Sequence, residues 1–201
     1  MTNAPTRRTR AIATTSVFAA LAITLTLVKA EIPYPVLPYL KFDLAEIPVM
    51  TLFFMLGPYA SMAAEVIHWI TLSIARGDII GPLMKFLAVT PMILGAWIGV
   101  KLAHGQSGKL TILLACVFGA VVRIIITSIA NIVMLLAVAP GYLSFAGALL
   151  RAFGIPAHTD YEALAWTLLF TGIYNAVHVV LSEGVAYWLV SRVLRLSPVE
   201  L

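Results

Sequence analysis

Long, nearly uninterrupted apolar segments constrain the fold of this chain more than any other feature. The segment ILLACVFGAVV at 112–122 contains no charged residue, and similar runs recur along the sequence. An apolar run of about 20 residues is long enough to cross the hydrocarbon core of a bilayer as a helix. Only 11% of the 201 residues are charged, compared with about 25% in soluble domains. We therefore predict an all-α integral membrane protein.

Glycine and proline divide the apolar sequence into six predicted transmembrane helices. Gly57-Pro58 interrupts a run that is too long for one helix, and proline both removes a backbone donor and restricts the preceding residue. The first helix resembles a signal peptide, but the segment KAEIPYP that follows it is a poor cleavage site. The predicted helices span about 11–28, 45–57, 59–75, 80–102, 110–138 and 163–191 of a single membrane domain covering residues 1–201.

The distribution of basic residues predicts that both termini are cytoplasmic. With six helices, the inner segments carry Arg7, Arg8, Arg10, Lys101, Lys109, Arg192 and Arg195, whereas the outer segments carry Lys29, Lys41, Arg76 and Arg151. This excess of inner basic residues follows the positive-inside rule. A single helix over 47–75 would place Arg192 and Arg195 outside, against that rule. The net charge of +4 sits near helix ends without a basic, aromatic-rich patch, so no nucleic-acid partner is predicted.

Several ionisable residues lie inside the predicted helices, where they usually face a cavity or a partner. Glu65 and His68 are three residues apart and share a helix face, so they form either a hydrogen-bonded pair or two ligands of a metal site that lacks a third. Arg123 either extends toward the inner surface or pairs with an acid such as Glu65 or Glu183. The single cysteine, Cys116, excludes a multi-cysteine metal site, and we predict no metal.

Three polar residues lie at similar depth near the outer ends of the fifth and sixth predicted helices. They are Asn131, Asn175 and His178. An amide side chain both donates and accepts hydrogen bonds, which suits a ligand with a urea-like or imide-like edge. These residues either face one cavity below the outer loops or form hydrogen bonds between neighbouring helices.

Two outer connections, 30–44 and 139–161, are long and rich in proline or glycine. Connections of this length act either as lids over a binding site or as plain connectors. Asp43 in the first of them and Glu46 just after it lie near the start of the second predicted helix, where negative charge is favourable.

The first helix carries a stripe of small residues formed by Ala11, Thr15 and Ala19, with Ser16 and Ala20 adjacent. Small residues allow two helices to approach closely. The stripe therefore serves either packing within this chain or docking against another membrane subunit.

The sequence contains no complete phosphate-binding loop. The segment GQSGKLT at 105–111 fails the pattern, because Leu110 stands where serine or threonine is required. A transport role driven by ATP would therefore need partner subunits.

One segment of the chain resembles a known family. PYLKFDLAEIP at 38–48, followed by VMTLFFMLGPYASM, is similar to the first-loop and second-helix signature of the riboflavin-binding S components of energy-coupling factor (ECF) vitamin transporters. Weaker similarities follow in the same order: GPLMKF at 81–86, Asn131 with Pro140 and Tyr142, and YNAVH at 174–178.

This resemblance implies a six-helix binding subunit in the cell membrane that is not an enzyme and needs no cofactor. It would hold a vitamin, riboflavin in this type, under loops one and five. It would deliver the vitamin inward together with a membrane T subunit and two cytoplasmic ATPases. The implied substrate-binding residues are Tyr39, Leu40, Lys41, Asp43, Lys85, Asn131, Tyr142, Asn175 and His178, and the implied docking residues are Ala11, Thr15, Ala19 and Ala22.

Three departures from the family pattern affect the expected ligand. Lys85 replaces an asparagine, Pro82 a glutamate and His178 a lysine. A lysine only donates hydrogen bonds, whereas a neutral histidine donates one and accepts one. The sequence thus leaves open an S component for another vitamin or small solute. It also leaves open a stand-alone secondary transporter and, from a different class, an intramembrane enzyme that uses Glu65 and His68.

Overall fold

The computed structural model describes residues 4–104 and 107–193, so Arg195 of the inner basic set lies outside the described residues. Within these ranges the chain folds into seven α-helices. They are α1 (Ala4–Leu27), α2 (Glu46–Leu56), α3 (Pro58–Arg76), α4 (Ile80–Leu102), α5 (Gly108–Val133), α6 (Gly141–Ala152) and α7 (Asp160–Trp188). Helices α5 and α7 each continue into one π-helical turn, Met134–Val138 and Leu189–Val193 respectively.

Among the described residues, four helical segments are long and apolar enough to cross a membrane: Arg7–Leu27, Ile80–Leu102, Gly108–Val138 and Asp160–Arg192. Helix α2 is apolar but has only 11 residues. The predicted all-α membrane class is thus confirmed, while the count of six spans and the cytoplasmic position of both termini stay predictions.

The break at Gly57-Pro58 is present in the structure. Helix α2 ends at Leu56 and α3 begins at Pro58. Gly57 has a φ of 88°, in the left-handed region that residues with a side chain rarely adopt. Pro58 occupies the first turn of α3. Backbone N–H groups in that turn have no acceptor within the helix, so the lack of an N–H in proline costs no hydrogen bond there.

The first outer connection folds back on itself as a small β-hairpin. Strand β1 (Glu31–Pro33) pairs antiparallel with β2 (Lys41–Asp43), and Glu31 lies opposite Asp43. This hairpin, together with the turn between its strands, is called loop 1 below. Its ordered backbone favours the lid interpretation over a plain connector.

The second outer connection, 139–161, contains a helix that the sequence interpretation missed. Helix α6 buries Leu143, Ala146 and Leu150 at spacings of three and four residues, which place these side chains on one face. Leu143 and Leu150 pack with Leu37 of loop 1 in one apolar cluster. The apolar face of α6 therefore connects the two outer connections.

Helices α4 and α5 pack with their backbones in close contact at two glycines. A Cβ atom at Gly95 would lie 2.3 Å from the carbonyl oxygen of Phe118, and one at Gly99 would lie 2.3 Å from that of Leu114. Because backbone atoms cannot move aside as a flexible side chain can, only glycine fits at these two positions.

We expect Gly99→Ala to destabilise the protein, because the new methyl group forces α4 away from the α5 backbone. Overpacking of this kind costs about 1–3 kcal/mol, and thermal unfolding in detergent should report a lowered midpoint. Gly184→Ala in α7 is the control, since a Cβ there meets no atom within 4 Å. Its midpoint should be unchanged or raised, because alanine is a better helix former than glycine. Equal midpoints for the two variants would contradict the close-packing assignment.

Candidate functional site

A cavity of about 560 Å³ opens at the end of the bundle that carries loop 1. Loop 1 contributes to its wall, and so do side chains from α1 to α5 and from α7. Its lining includes Thr26, Tyr39, Leu40, Lys41, Asp43, Glu46, Met84, Lys85, Ala88, Arg123, Thr127, Asn131, Thr171, Tyr174 and Asn175. A cavity of this size, with apolar surface and a few polar groups, is typical of a site for a small organic ligand.

Seven of the nine predicted substrate-binding residues line this cavity: Tyr39, Leu40, Lys41, Asp43, Lys85, Asn131 and Asn175. Tyr142 instead lies on α6 beside Phe145, in a separate depression. His178 is buried away from the cavity lining, in contact with Tyr174. The structure thus brings together residues from four distant sequence segments and leaves out two.

The floor of the cavity contains a buried ion pair between Arg123 and Glu46. Arg123 donates from Nη1 to Glu46 Oε2 at 2.6 Å and from Nη2 to Glu46 Oε1 at 3.0 Å. Both side chains are almost completely buried. The expected pairing of Arg123 with Glu65 or Glu183 is therefore wrong. Glu46 does stand in the first turn of α2, but its carboxylate is held by the guanidinium rather than exposed at the helix end.

Asn175 is part of the same buried network. Its Oδ1 accepts a hydrogen bond from Arg123 Nε at 2.8 Å, and its Nδ2 donates to Thr127 Oγ1 at 2.9 Å. Both the oxygen and the nitrogen of the amide are therefore already hydrogen-bonded to protein groups. It borders the cavity mainly as a support for Arg123.

His178 also supports the ion pair rather than facing the cavity. Its Nε2 lies 3.3 Å from the backbone carbonyl of Asp43, and its Nδ1 lies 3.2 Å from Arg123 Nη2. A carbonyl only accepts and a guanidinium only donates, so these partners select the tautomer with its proton on Nε2. His178 thereby links loop 1 to α5 and α7.

A second polar network joins loop 1 to α1, α3 and α4. Lys85 forms an ion pair with Asp43, and Thr26 Oγ1 lies 3.0 Å from Lys85 Nζ and 3.1 Å from Asp43 Oδ2. On its other side Thr26 Oγ1 lies 3.0 Å from His68 Nε2. His68 Nδ1 in turn lies 3.3 Å from Glu65 Oε2.

This second network accounts for Glu65 and His68, the buried acid and histidine that the sequence analysis singled out. Glu65 and His68 form a hydrogen-bonded pair whose neighbour is a threonine, and no group of three metal-ligating side chains is found among the described residues. Lys85 is held by Asp43, so its ammonium group fixes loop 1 on α4.

Aromatic side chains hold loop 1 against α7. The ring of Phe42 lies 4.9 Å from that of Tyr174, and Tyr174 Oη donates to the backbone carbonyl of Lys41 at 2.6 Å. Tyr39 approaches Phe145 of α6 with ring centres 6.2 Å apart. Desolvation raises the pKa of the Tyr39 phenol to about 12. Its hydroxyl group therefore stays a neutral donor at physiological pH.

The predicted docking residues on α1 separate into two sets. Ala19 and Ala22 are buried inside the bundle, where they pack within the chain, and their docking role stays a prediction. Ala11 and Thr15 are half-buried, whereas Ser16 and Ala20 are exposed on the adjacent face. Periodicity alone could not select the buried face, because small and apolar residues occur all around this helix.

Among the cavity residues that the sequence interpretation missed are three threonines: Thr26, Thr127 and Thr171. Threonine is common in membrane helices, where its hydroxyl often bonds the backbone of its own helix. No sequence signal therefore distinguishes these three from other threonines. Matching buried charges of opposite sign by depth would have reduced the possible partners of Arg123 to a few acids, Glu46 among them.

We expect Glu46→Gln to destabilise the protein strongly, because it leaves the buried Arg123 guanidinium without a counter-charge. Removing one partner of a buried ion pair costs about 3–5 kcal/mol, which thermal unfolding in detergent would detect. The double variant Glu46→Gln/Arg123→Met is the matched control and should recover much of the loss. A single variant as stable as the parent chain would contradict the assigned pair.

Comparisons with known proteins agree with this architecture. No protein-family model matches the chain. The chain is 28% identical over 131 residues to the riboflavin transporter RibU of Staphylococcus aureus (strain TCH60), which covers 65% of this chain and 67% of the relative. It also superposes on a solved S component of a bacterial ECF transporter with a TM-score of 0.71 and 22% identity, over 94% of this chain and 97% of that one. The resemblance found in the sequence is thus confirmed, and the chain has the fold of an ECF-transporter S component.

Proposed function

We propose that the protein is the substrate-capture subunit of an ATP-driven vitamin importer and that its ligand is riboflavin. The observation that carries this proposal is the position of the first-loop signature. Tyr39, Leu40, Lys41 and Asp43 form one wall of the 560 Å³ cavity. The sequence similarity to a riboflavin transporter and the S-component fold support the same conclusion.

The geometry accounts for capture without catalysis. The charged groups deepest in the cavity, Arg123 and Glu46, neutralise each other, and loop 1 covers them through the Asp43–Lys85 ion pair. A ligand entering from the open end therefore meets a fixed surface with apolar walls and a few polar groups. Such a preorganised surface favours tight binding, because little ordering accompanies ligand entry.

Energy for release of the ligand would come from other subunits. The proposed partners are a membrane T subunit and two cytoplasmic ATPases, in the plasma membrane. The exposed small residues of α1, Ser16 and Ala20, offer a face on which a partner helix could approach closely. Since Ala19 and Ala22 are buried, this neighbouring exposed face is the docking surface that we propose.

Purified protein should bind riboflavin at a ratio of about one per chain without ATP. Stacking of the flavin against aromatic side chains such as Tyr39 should quench flavin fluorescence. Titration of the detergent-solubilised protein measures both the ratio and the affinity. The control is thiamine or biotin at equal concentration, which should not displace the flavin.

Absence of riboflavin binding together with tight binding of another vitamin would replace riboflavin while keeping the S-component function. Ion-coupled uptake by this chain alone in liposomes would instead establish the secondary-transporter alternative and remove the need for partners.

Ala20→Trp should reduce assembly with the T subunit several-fold and leave riboflavin binding unchanged. The indole ring prevents close approach of a partner helix to the exposed face of α1, which lies outside the cavity lining. Copurification of tagged chain with coexpressed T subunit and ATPases measures assembly. Val121→Trp on the exposed face of α5 is the matched control and should assemble normally. Equal recovery of both variants would exclude this docking face.

A further inference from the structure

Helices α5 and α7 run antiparallel and place polar side chains opposite each other at successive levels. Gly119 of α5 lies against Glu183 of α7, and Thr127 accepts a hydrogen bond from Asn175 at 2.9 Å. Residue numbers on α5 rise toward the open end of the cavity while those on α7 fall. Four residues farther along each helix, about 6 Å, the positions that face each other are Asn131 and Thr171.

Asn131 and Thr171 both line the cavity, and neither side chain has a hydrogen-bond partner within residues 4–104 and 107–193. Thr171 is only 5% exposed. The hydroxyl oxygen of Thr171 is not fully enclosed, unlike that of Thr167, and so it is reachable from the cavity that Thr171 lines. Its oxygen also does not bond back to its own helix, as Thr127 does to the carbonyl of Arg123 at 2.8 Å. The hydroxyl is therefore available to a molecule in the cavity.

One helical turn deeper than Asn131 and Thr171, few polar groups remain free to bind a ligand. Asn175 already bonds to Arg123 and Thr127, and Arg123 is occupied by Glu46. The polar groups available on the facing helices are thus an amide and a hydroxyl, which are both neutral. Each can donate and accept a hydrogen bond.

We propose that Thr171, rather than Asn175, is the residue of α7 that determines ligand specificity, and that together with Asn131 it binds an uncharged ligand edge with adjacent donor and acceptor groups. An imide or lactam edge has this chemistry. The inference rests on the proposed function, since it assigns how that cavity recognises the ring system of its ligand. Asn175 then acts as a positioning residue that holds Arg123.

The test compares Thr171→Val with Thr171→Ser, using two probes in fluorescence titrations. Riboflavin carries the imide edge and a ribityl chain, whereas lumiflavin has the same edge without the chain. Thr171→Val keeps the side-chain shape but removes the hydroxyl, so it should weaken binding of both flavins by about 3- to 10-fold, as expected for one hydrogen bond. Thr171→Ser keeps the hydroxyl and should bind like the parent chain.

Thr167→Val is the matched control. Thr167 lies one turn away on α7, has an unpartnered hydroxyl that is fully enclosed by protein, and is not among the cavity-lining residues. This variant should bind both flavins like the parent chain. It also separates an effect of the cavity hydroxyl from a general effect of valine on α7.

Three outcomes would overturn the inference. Unchanged affinity of Thr171→Val would exclude contact with the hydroxyl and leave the proposed function intact. Weaker binding of riboflavin alone would assign the hydroxyl to the ribityl chain instead of the imide edge. If the parent chain binds neither flavin, the proposed function fails and this inference falls with it.

Discussion

The ion pair between Arg123 and Glu46 is the interaction on which the rest of the structure depends. An arginine in the middle of an apolar helix is costly unless a partner neutralises it, and here the partner comes from the first turn of α2. Asn175, His178 and the sulfur of Met92 take the remaining hydrogen bonds of the guanidinium. The charge thus connects α2, α5 and α7, and through the carbonyl of Asp43 it also fixes loop 1.

Much of the architecture is predictable from the sequence, since it follows from local rules. Apolar length specifies membrane helices, and Gly57-Pro58 specifies a break because of backbone geometry. The residues of loop 1 could be assigned to a cavity wall because a family signature covers them. Helix α6 was missed because the proline and glycine residues around it are typical of a loop. The helix itself is short, with 12 residues, and only one of its faces is apolar.

The partners of the buried polar groups could not be predicted in the same way. Arg123 and Glu46 are 77 residues apart, and several acids were available at plausible depths. The depth of a residue in a membrane helix can be read from the sequence, but its direction around the helix axis is set by packing. The same limitation explains why Ala19 and Ala22 turn inward while Ala20 does not, and why Thr171 carries no signal of its own.

The contact of Gly95 and Gly99 with the α5 backbone has a consequence for how ligand preference can change over evolution. With no side chain between them, the two helices have a fixed spacing. This contact fixes the deeper half of the α4–α5 pair, below the cavity walls that carry Lys85 and Asn131. Adaptation to larger solutes would then use cavity side chains outside the Arg123–Glu46 network, such as Leu40, Met84 and Thr171, because exchanging them leaves both the helix contact and the buried ion pair intact.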